Sequence, residues 1–164
     1  MKYVLTVIAV CLTACGAAKT TDVVITEIEV NSLPAEVKTV ILAKRADFEI
    51  EEVLKKVRDG RTYFDVEGEI ADGSELEFDI LMTHNGPEIV EIQRDLVFSA
   101  LADEVQVAAQ KAMGDRKIIR IIESIQSDGA VIYELFEEGK PTDPAEEIRV
   151  SEGKIERLKE RWAH

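Results

Sequence analysis

The sequence predicts an α+β fold in which two tandem repeats, each one helix followed by four strands, form a continuous antiparallel sheet with both helices packed on one face. Three observations lead to this prediction. A helical apolar pattern opens each half of the chain, runs of alternating polar and apolar residues follow it, and tight-turn dipeptides separate those runs. The 164 residues, 46% of them hydrophobic, suffice for one ordinary core or two small halves.

The N-terminal segment has the pattern of an export signal. Lys2 is followed by an apolar run over 3–12, which is too short to span a bilayer but has the length of a signal-peptide core. The next residues resemble the bacterial lipoprotein signal, in which cleavage would follow Ala14 and the lipid would be attached to Cys15. Residues 1–14 are therefore the predicted signal peptide and 15–22 a flexible tether. A plain signal peptide, cut after Ala14 or Ala17, is the alternative.

A lipid on Cys15 predicts a protein that is anchored to a membrane rather than spanning it. In a two-membrane bacterium, Gly16 after the cysteine favours the periplasmic face of the outer membrane. Cleavage would also remove Cys11, so no second cysteine would remain to form a disulfide.

The first predicted repeat covers residues 23–97. Pro34 stands where the first turn of a helix tolerates proline, and Val37, Val40 and Ile41 follow at helical spacing. Beyond them, alternating runs are interrupted by Asp-Gly or Asn-Gly dipeptides at 59–60, 72–73 and 85–86, so four strands are expected.

The second predicted repeat covers residues 98–164. A helix is expected over 100–113, with Gly114 as its stop and an apolar stripe. The stripe consists of Leu101, Val105, Ala108 and Ala112. A shift of 69 residues places Asp59-Gly60 on Asp128-Gly129 without a gap across the central hairpin. The final segment, residues 154–162, is compatible with a strand or with a last helix carrying Trp162.

These features together resemble the PepSY-like, β-lactamase-inhibitor-like periplasmic proteins. The resemblance rests on the lipoprotein signal, on Leu33, Pro34 and Val37 at the start of a helix, and on the strand that follows each Asp-Gly turn. It covers roughly residues 23–161 and favours a strand from Lys154. The sequence departs from the family pattern at 83–86, where Thr83 or His84 stands in place of a usual acidic residue.

Strand alternation sorts the side chains onto a helix-covered face and an open face. In the first repeat the open face is expected to carry mostly carboxylates, and in the second repeat also apolar side chains. One interpretation is a solvated surface, and the other is a docking surface for a basic partner. The candidate docking residues are Tyr63, Asp65, Glu67, Glu75, Glu77, Asp79, Ile132, Glu134 and Phe136.

Charge and motifs exclude several functions. The net charge of -13 argues against nucleic-acid binding, which requires a basic surface. The two histidines, His84 in a turn and His164 at the end, do not form a catalytic set, and neither a phosphate loop nor a zinc-hydrolase motif occurs. We therefore expect no enzyme activity, no cofactor and no metal site.

The resemblance implies a function in binding. It predicts an inhibitor or modulator of an exported enzyme, such as a peptidase, acting through the open acidic face. The alternative is a structural or envelope-homeostasis lipoprotein that binds cations or small cationic ligands through its carboxylates.

Overall fold

The computed structural model describes residues 23–162, whose strands form one nine-stranded antiparallel sheet. The strands lie side by side in the order of the chain, and each pairs with its sequence neighbour. They are β1 (Val24–Glu27), β2 (Glu49–Arg58), β3 (Arg61–Glu69), β4 (Glu75–Thr83), β5 (Gly86–Asp95), β6 (Ile118–Gln126), β7 (Val131–Glu137), β8 (Glu146–Ser151) and β9 (Lys154–Arg157). Helix α1 (Ala35–Lys44) precedes β2, and helix α2 (Asp103–Met113) precedes β6.

The structure confirms the α+β class and the continuous antiparallel sheet. The expected count of eight strands is wrong, because β1 pairs with β2 and adds a ninth strand at the edge. This strand has only four residues, all exposed, so burial gives it no alternating pattern to recognise. Residue 154 does begin a strand, as the resemblance favours, and that strand ends at Arg157.

Several predictions fall on residues outside 23–162. These are the signal peptide over 1–14 with its cleavage at Ala14, the lipid attachment at Cys15, the tether over 15–22, and the terminal His164. Between residues 23 and 162, the structure has no helix with the length and hydrophobicity needed to cross a membrane.

Helix α1 packs on the first half of the sheet. Val37 and Ile41 are fully buried, as their spacing predicts, and contact a cluster that includes Val66 and Phe78. The rings of Phe48 and Phe78 meet edge to face, with centroids 5.0 Å apart. This cluster fixes which side chains of β3 and β4 point away from the helix.

Helix α2 begins later than the sequence suggests. Residues 98–100 form a 3-10 turn, and the helix starts at Asp103 rather than at residue 100. Its buried line is Val105, Ala109 and Met113, whereas the predicted Ala108 and Ala112 lie beside that line and are partly buried. The predicted stop is confirmed, since Gly114 has a φ of 59°.

Both helices cover the same side of the sheet. Ile92 packs against the first cluster and lies opposite Ile125 of β6. Ile125 and Ile121 are four residues apart in one strand and share a face, and Ile121 belongs to the second cluster under α2. The other side of the sheet is free of both helices and is called the open face below.

Candidate functional site: the open face of the sheet

The first six candidate residues do lie together on the open face. The register places Asp65 opposite Asp79, Glu67 opposite Glu77, and Tyr63 opposite Leu81. Glu75 lies at the start of β4 on the same side, one alternation from Glu77. Two of these cross-strand pairs bring like charges together, which destabilises a sheet unless other groups compensate.

The open face is curved into a groove. One cavity of about 210 Å³ is lined by residues from β2 to β6, including Glu51 of β2 and Ile122 of β6. A second cavity of about 290 Å³ reaches from Lys56 of β2 to Gln126 of β6. Neighbouring strands are about 4.8 Å apart, so walls supplied by both β2 and β6 require the sheet between them to bend inward. A twisted sheet with helices on its other side can form such a groove.

Three carboxylates meet at the centre of the groove. Asp65, Glu77 and Asp79 each offer an oxygen within 4.8 Å of the others. The Lys56 ammonium forms an ion pair with the buried Asp65. Burial, together with the negative charges of Asp79 and Glu67, raises the pKa of Glu77 to about 7. The cluster therefore binds a proton as the pH falls through about 7 and already pairs with an ammonium, both of which lower the charge available to an incoming cation.

The groove is more mixed in charge than the alternation of β3 and β4 suggests. Lys56 and Arg58 point to the open face from β2, because Lys56 lies opposite Tyr63 and Arg58 opposite Arg61. Arg120 contributes from β6 and pairs with Asp95 at 2.9 Å. One end of the groove is lined by four acidic side chains that form no ion pair within residues 23–162. They are Glu51, Glu67, Glu75 and Glu77.

The three candidates of the second half lie on the predicted face but are not exposed. Ile132 is 0% exposed, Phe136 2% and Glu134 8%. Their place on the open face follows from the register, since Ile132 lies opposite Ser124 and Glu134 opposite Ile122. The prediction that Ile132, Glu134 and Phe136 are accessible to a docking partner is therefore wrong.

The C-terminal segment explains much of this burial. Residues 158–162 return over the open face after β9, and Trp162 lines a cavity with Phe136 and Ile122. The segment is held by Glu147 of β8, which accepts a hydrogen bond from the Trp162 backbone N–H at 2.6 Å. Alternation within one strand does not predict that a distant segment covers its side chains.

The sequence interpretation also missed a basic group at the other end of the groove. Arg58, Arg61 and Tyr63 surround the β2–β3 turn, with the Arg58 guanidinium 5.1 Å from the centre of the Tyr63 ring. The signal was present in the sequence. A two-residue Asp59-Gly60 turn places residues 58 and 61 opposite each other, which makes two arginines a cross-strand pair.

A buried polar network lies beside the groove. Glu91 of β5 accepts hydrogen bonds from the Ser124 hydroxyl and from the Gln126 amide, the latter at 2.9 Å. Both donors come from β6, so the network ties the two halves of the sheet together. Its hydrogen bonds use much of the capacity of the buried Glu91 carboxylate, which is consistent with a structural role.

His84 lies in the β4–β5 turn and is exposed. Its neighbour Thr83 donates a hydrogen bond from its hydroxyl to the Gly86 carbonyl within the turn, with 2.8 Å between the two oxygens.

Comparison with known proteins gives no relative for this chain. No family model matches it, and neither a curated protein nor a solved structure matches it.

Proposed function

We propose that this chain is a lipid-anchored binding protein of the bacterial envelope, attached through Cys15 and facing the periplasm. It uses the open face of its sheet to bind and modulate an exported enzyme such as a peptidase. The observation that carries the proposal is the groove, which runs across β2 to β6 on the side free of both helices. A curved sheet face that no helix covers can bind a partner through complementary shape as well as complementary charge.

The acidic end of the groove is the expected contact for a basic partner. Glu67 and Glu75 are exposed there, and Glu77 lies beside them. Complementary charge accelerates association, whereas burial of apolar groups supplies most of the affinity. Tyr63 and Leu81, both half-buried on the open face, offer apolar contacts there although Phe136 is covered.

Site-specific photocrosslinking in cells tests this function. A photoreactive residue at Glu75, at the acidic end of the groove, should capture a discrete exported protein. The matched control is Val107, which is 66% exposed on α2 and lies on the opposite side of the sheet. Capture of the same protein from both positions, or of none from Glu75 across several growth conditions, would refute the proposal.

We further propose that the sheet consists of two copies of one unit, over residues 23–97 and 98–164. The 69-residue shift that aligns the hairpins also carries α1 onto the bounds of α2 to within one residue, and β2 onto β6. The shift is not constant, because Gly86 and Gly153 are only 67 residues apart. The second copy is therefore shortened between its middle hairpin and its last turn.

The competing function is the binding of cations or small cationic ligands. The carboxylate cluster of Asp65, Glu77 and Asp79 supports it, since oxygen ligands are what hard cations prefer. The ion pair between Lys56 and Asp65 opposes it. Calorimetric titration with Ca²⁺ and with spermidine separates the two functions, because binding below about 10 µM would favour this one.

A further inference from the structure

Two arginines have no carboxylate partner within the described part of this acidic protein, residues 23–162. The described residues include nine arginines, and seven of them form ion pairs. Arg58 and Arg61 form none with any residue from 23 to 162, although acidic side chains outnumber basic ones by 33 to 20 in the sequence. These two arginines lie opposite each other across the β2–β3 turn.

Their position places two cationic groups beside the Tyr63 side chain in one cavity. The Arg58 guanidinium stacks on the Tyr63 ring, and Arg61 lies opposite Arg58 on the same face of the hairpin as Tyr63. Burial by itself would raise the pKa of this phenol, but the two guanidinium groups hold the pKa below its ordinary value of 10.0. Positive charge at this point is thus strong enough to outweigh desolvation.

The cavity beside these residues has an apolar wall. Val23, Leu81 and Val90 line it together with the two arginines. Its volume of about 290 Å³ is at the lower end of the range for small-molecule sites. Two like charges opposed across a turn destabilise the hairpin, and a bound anion would relieve that repulsion.

We propose that Arg58, Arg61 and Tyr63 form a binding site for a monocarboxylate carried on a short apolar chain. Guanidinium forks match the geometry of a carboxylate, and the apolar wall receives the chain. The carboxylates of Asp65, Asp79 and Glu91 line the same cavity, so a doubly charged phosphate would meet more repulsion than a single carboxylate. The chemistry is that of a peptide C-terminus or of a short fatty acid.

This site goes beyond the proposed function, because it recognises a small group and does not require a folded partner. It is tested by titrating the full chain, carrying Tyr3→Phe, with the dipeptide N-acetyl-Ala-Leu as the free acid and as the amide. Calorimetry gives the affinity, and absorbance at 295 nm follows Tyr63. Tyr133 does not interfere, because its pKa lies at about 12.

The free acid should bind and the amide should bind at least tenfold more weakly. The bound carboxylate should also raise the pKa of Tyr63, because it engages the guanidinium groups and adds a negative charge beside the phenol. Hexanoate and inorganic phosphate complete the series. Hexanoate binding as tightly as the peptide acid would assign the site to any carboxylate with an apolar chain, and weaker hexanoate binding would assign it to a peptide C-terminus.

Two double variants separate a site from a general charge effect. Arg58→Gln with Arg61→Gln should weaken acid binding at least tenfold. Lys38→Gln with Lys111→Gln, which removes two exposed lysines of the helices without ion pairs in residues 23–162, should leave binding unchanged. Circular dichroism verifies that each variant remains folded. The double variant Arg58→Lys with Arg61→Lys keeps both positive charges and tests whether binding requires the planar guanidinium group.

Three results would overturn the site. These are equal binding of acid and amide, tighter binding of phosphate than of carboxylate, and equal loss in the two glutamine variants. Absence of any binding at millimolar concentration would also overturn it, and the photocrosslinking result would be unaffected. Conversely, a failure to capture a partner from Glu75 would leave the titration result standing.

Discussion

The backbone N–H of Trp162 donates a hydrogen bond to the Glu147 carboxylate, with 2.6 Å between nitrogen and oxygen. This contact holds the chain beyond β9 on the open face of the sheet. Arg161, one residue earlier, lies 3.4 Å from the same carboxylate and 2.8 Å from Asp143. One buried side chain of β8 therefore anchors a segment that covers part of the surface expected to be free.

Glu147→Ala should release the C-terminal segment. The substitution removes the acceptor for Trp162 and one partner of Arg161, and we expect the free energy of unfolding to fall by about 1 to 2 kcal/mol. Trp162 is the single tryptophan of the chain, so its fluorescence reports the segment directly. Its emission should shift to longer wavelength in the folded variant. The control is Glu160→Ala, which changes an exposed residue of the same segment and should move neither quantity.

Glu77 should make the stability fall as the pH rises. Its pKa is about 7 in the folded protein and near 4.5 when unfolded, so the folded state binds the extra proton between these values. Below about pH 4.5 Glu77 causes no loss of stability, and above about pH 7 the loss that it causes is complete. Glu77→Gln removes it and should raise the free energy of unfolding at pH 8 by about 1 to 3 kcal/mol, with little change at pH 4.5.

Urea unfolding at the two pH values measures this difference. Glu75→Gln is the matched control, because Glu75 is exposed on the same strand and the same face. An equal gain in both variants would show that the effect is a general loss of negative charge and not the titration of the half-buried Glu77 carboxyl.

Gly68→Ala should strongly destabilise the first half of the sheet. A Cβ at residue 68 would lie 2.0 Å from the Glu49 carbonyl oxygen and 2.8 Å from the Phe48 ring. The neighbouring strand is irregular there, with a register shift between Ile50 and Glu52. We expect a loss of at least about 2 kcal/mol in the free energy of unfolding.

Thermal unfolding compares this variant with Gly73→Ala. Gly73 has a φ of 81° but open space at its Cβ position, so the control should lose only about 1 kcal/mol. A smaller loss for Gly68→Ala than for the control would contradict the close packing of β2 on β3.

Glu123→Gln should lower the pKa of Tyr133 from about 12 towards 10. Burial and the negative charge of Glu123 raise this pKa, and the Tyr133 hydroxyl donates to the Glu123 carboxylate at 3.2 Å. Burial remains in the variant, so the pKa should stay above 10. Absorbance at 295 nm in a Tyr3→Phe background measures the change. Glu138→Gln, at an exposed site, should leave the pKa of Tyr133 unchanged.

The sequence by itself determined the local elements. The Asp-Gly turns appear where the dipeptides are, because glycine adopts positive φ without steric cost, as at Gly73 with a φ of 81°. At Asp59-Gly60 both residues have positive φ, 52° and 73°, which a two-residue hairpin turn of this kind requires. Helical spacing likewise identified Val37 and Ile41 as core residues. Strand alternation placed Tyr63, Asp65 and the other carboxylates of β3 and β4 on one face.

Only the tertiary structure decided which of those open-face side chains are accessible. Ile132 and Phe136 point to the open face but are buried. The sheet is curved there, and a segment about 26 residues after Phe136 lies over this face. The two-residue period of a strand carries no information about such distant contacts. The late start of α2, and the ninth strand β1, also depend on packing and pairing with distant residues. The sequence alone identifies the faces of the sheet, whereas the three-dimensional path of the chain determines what covers them.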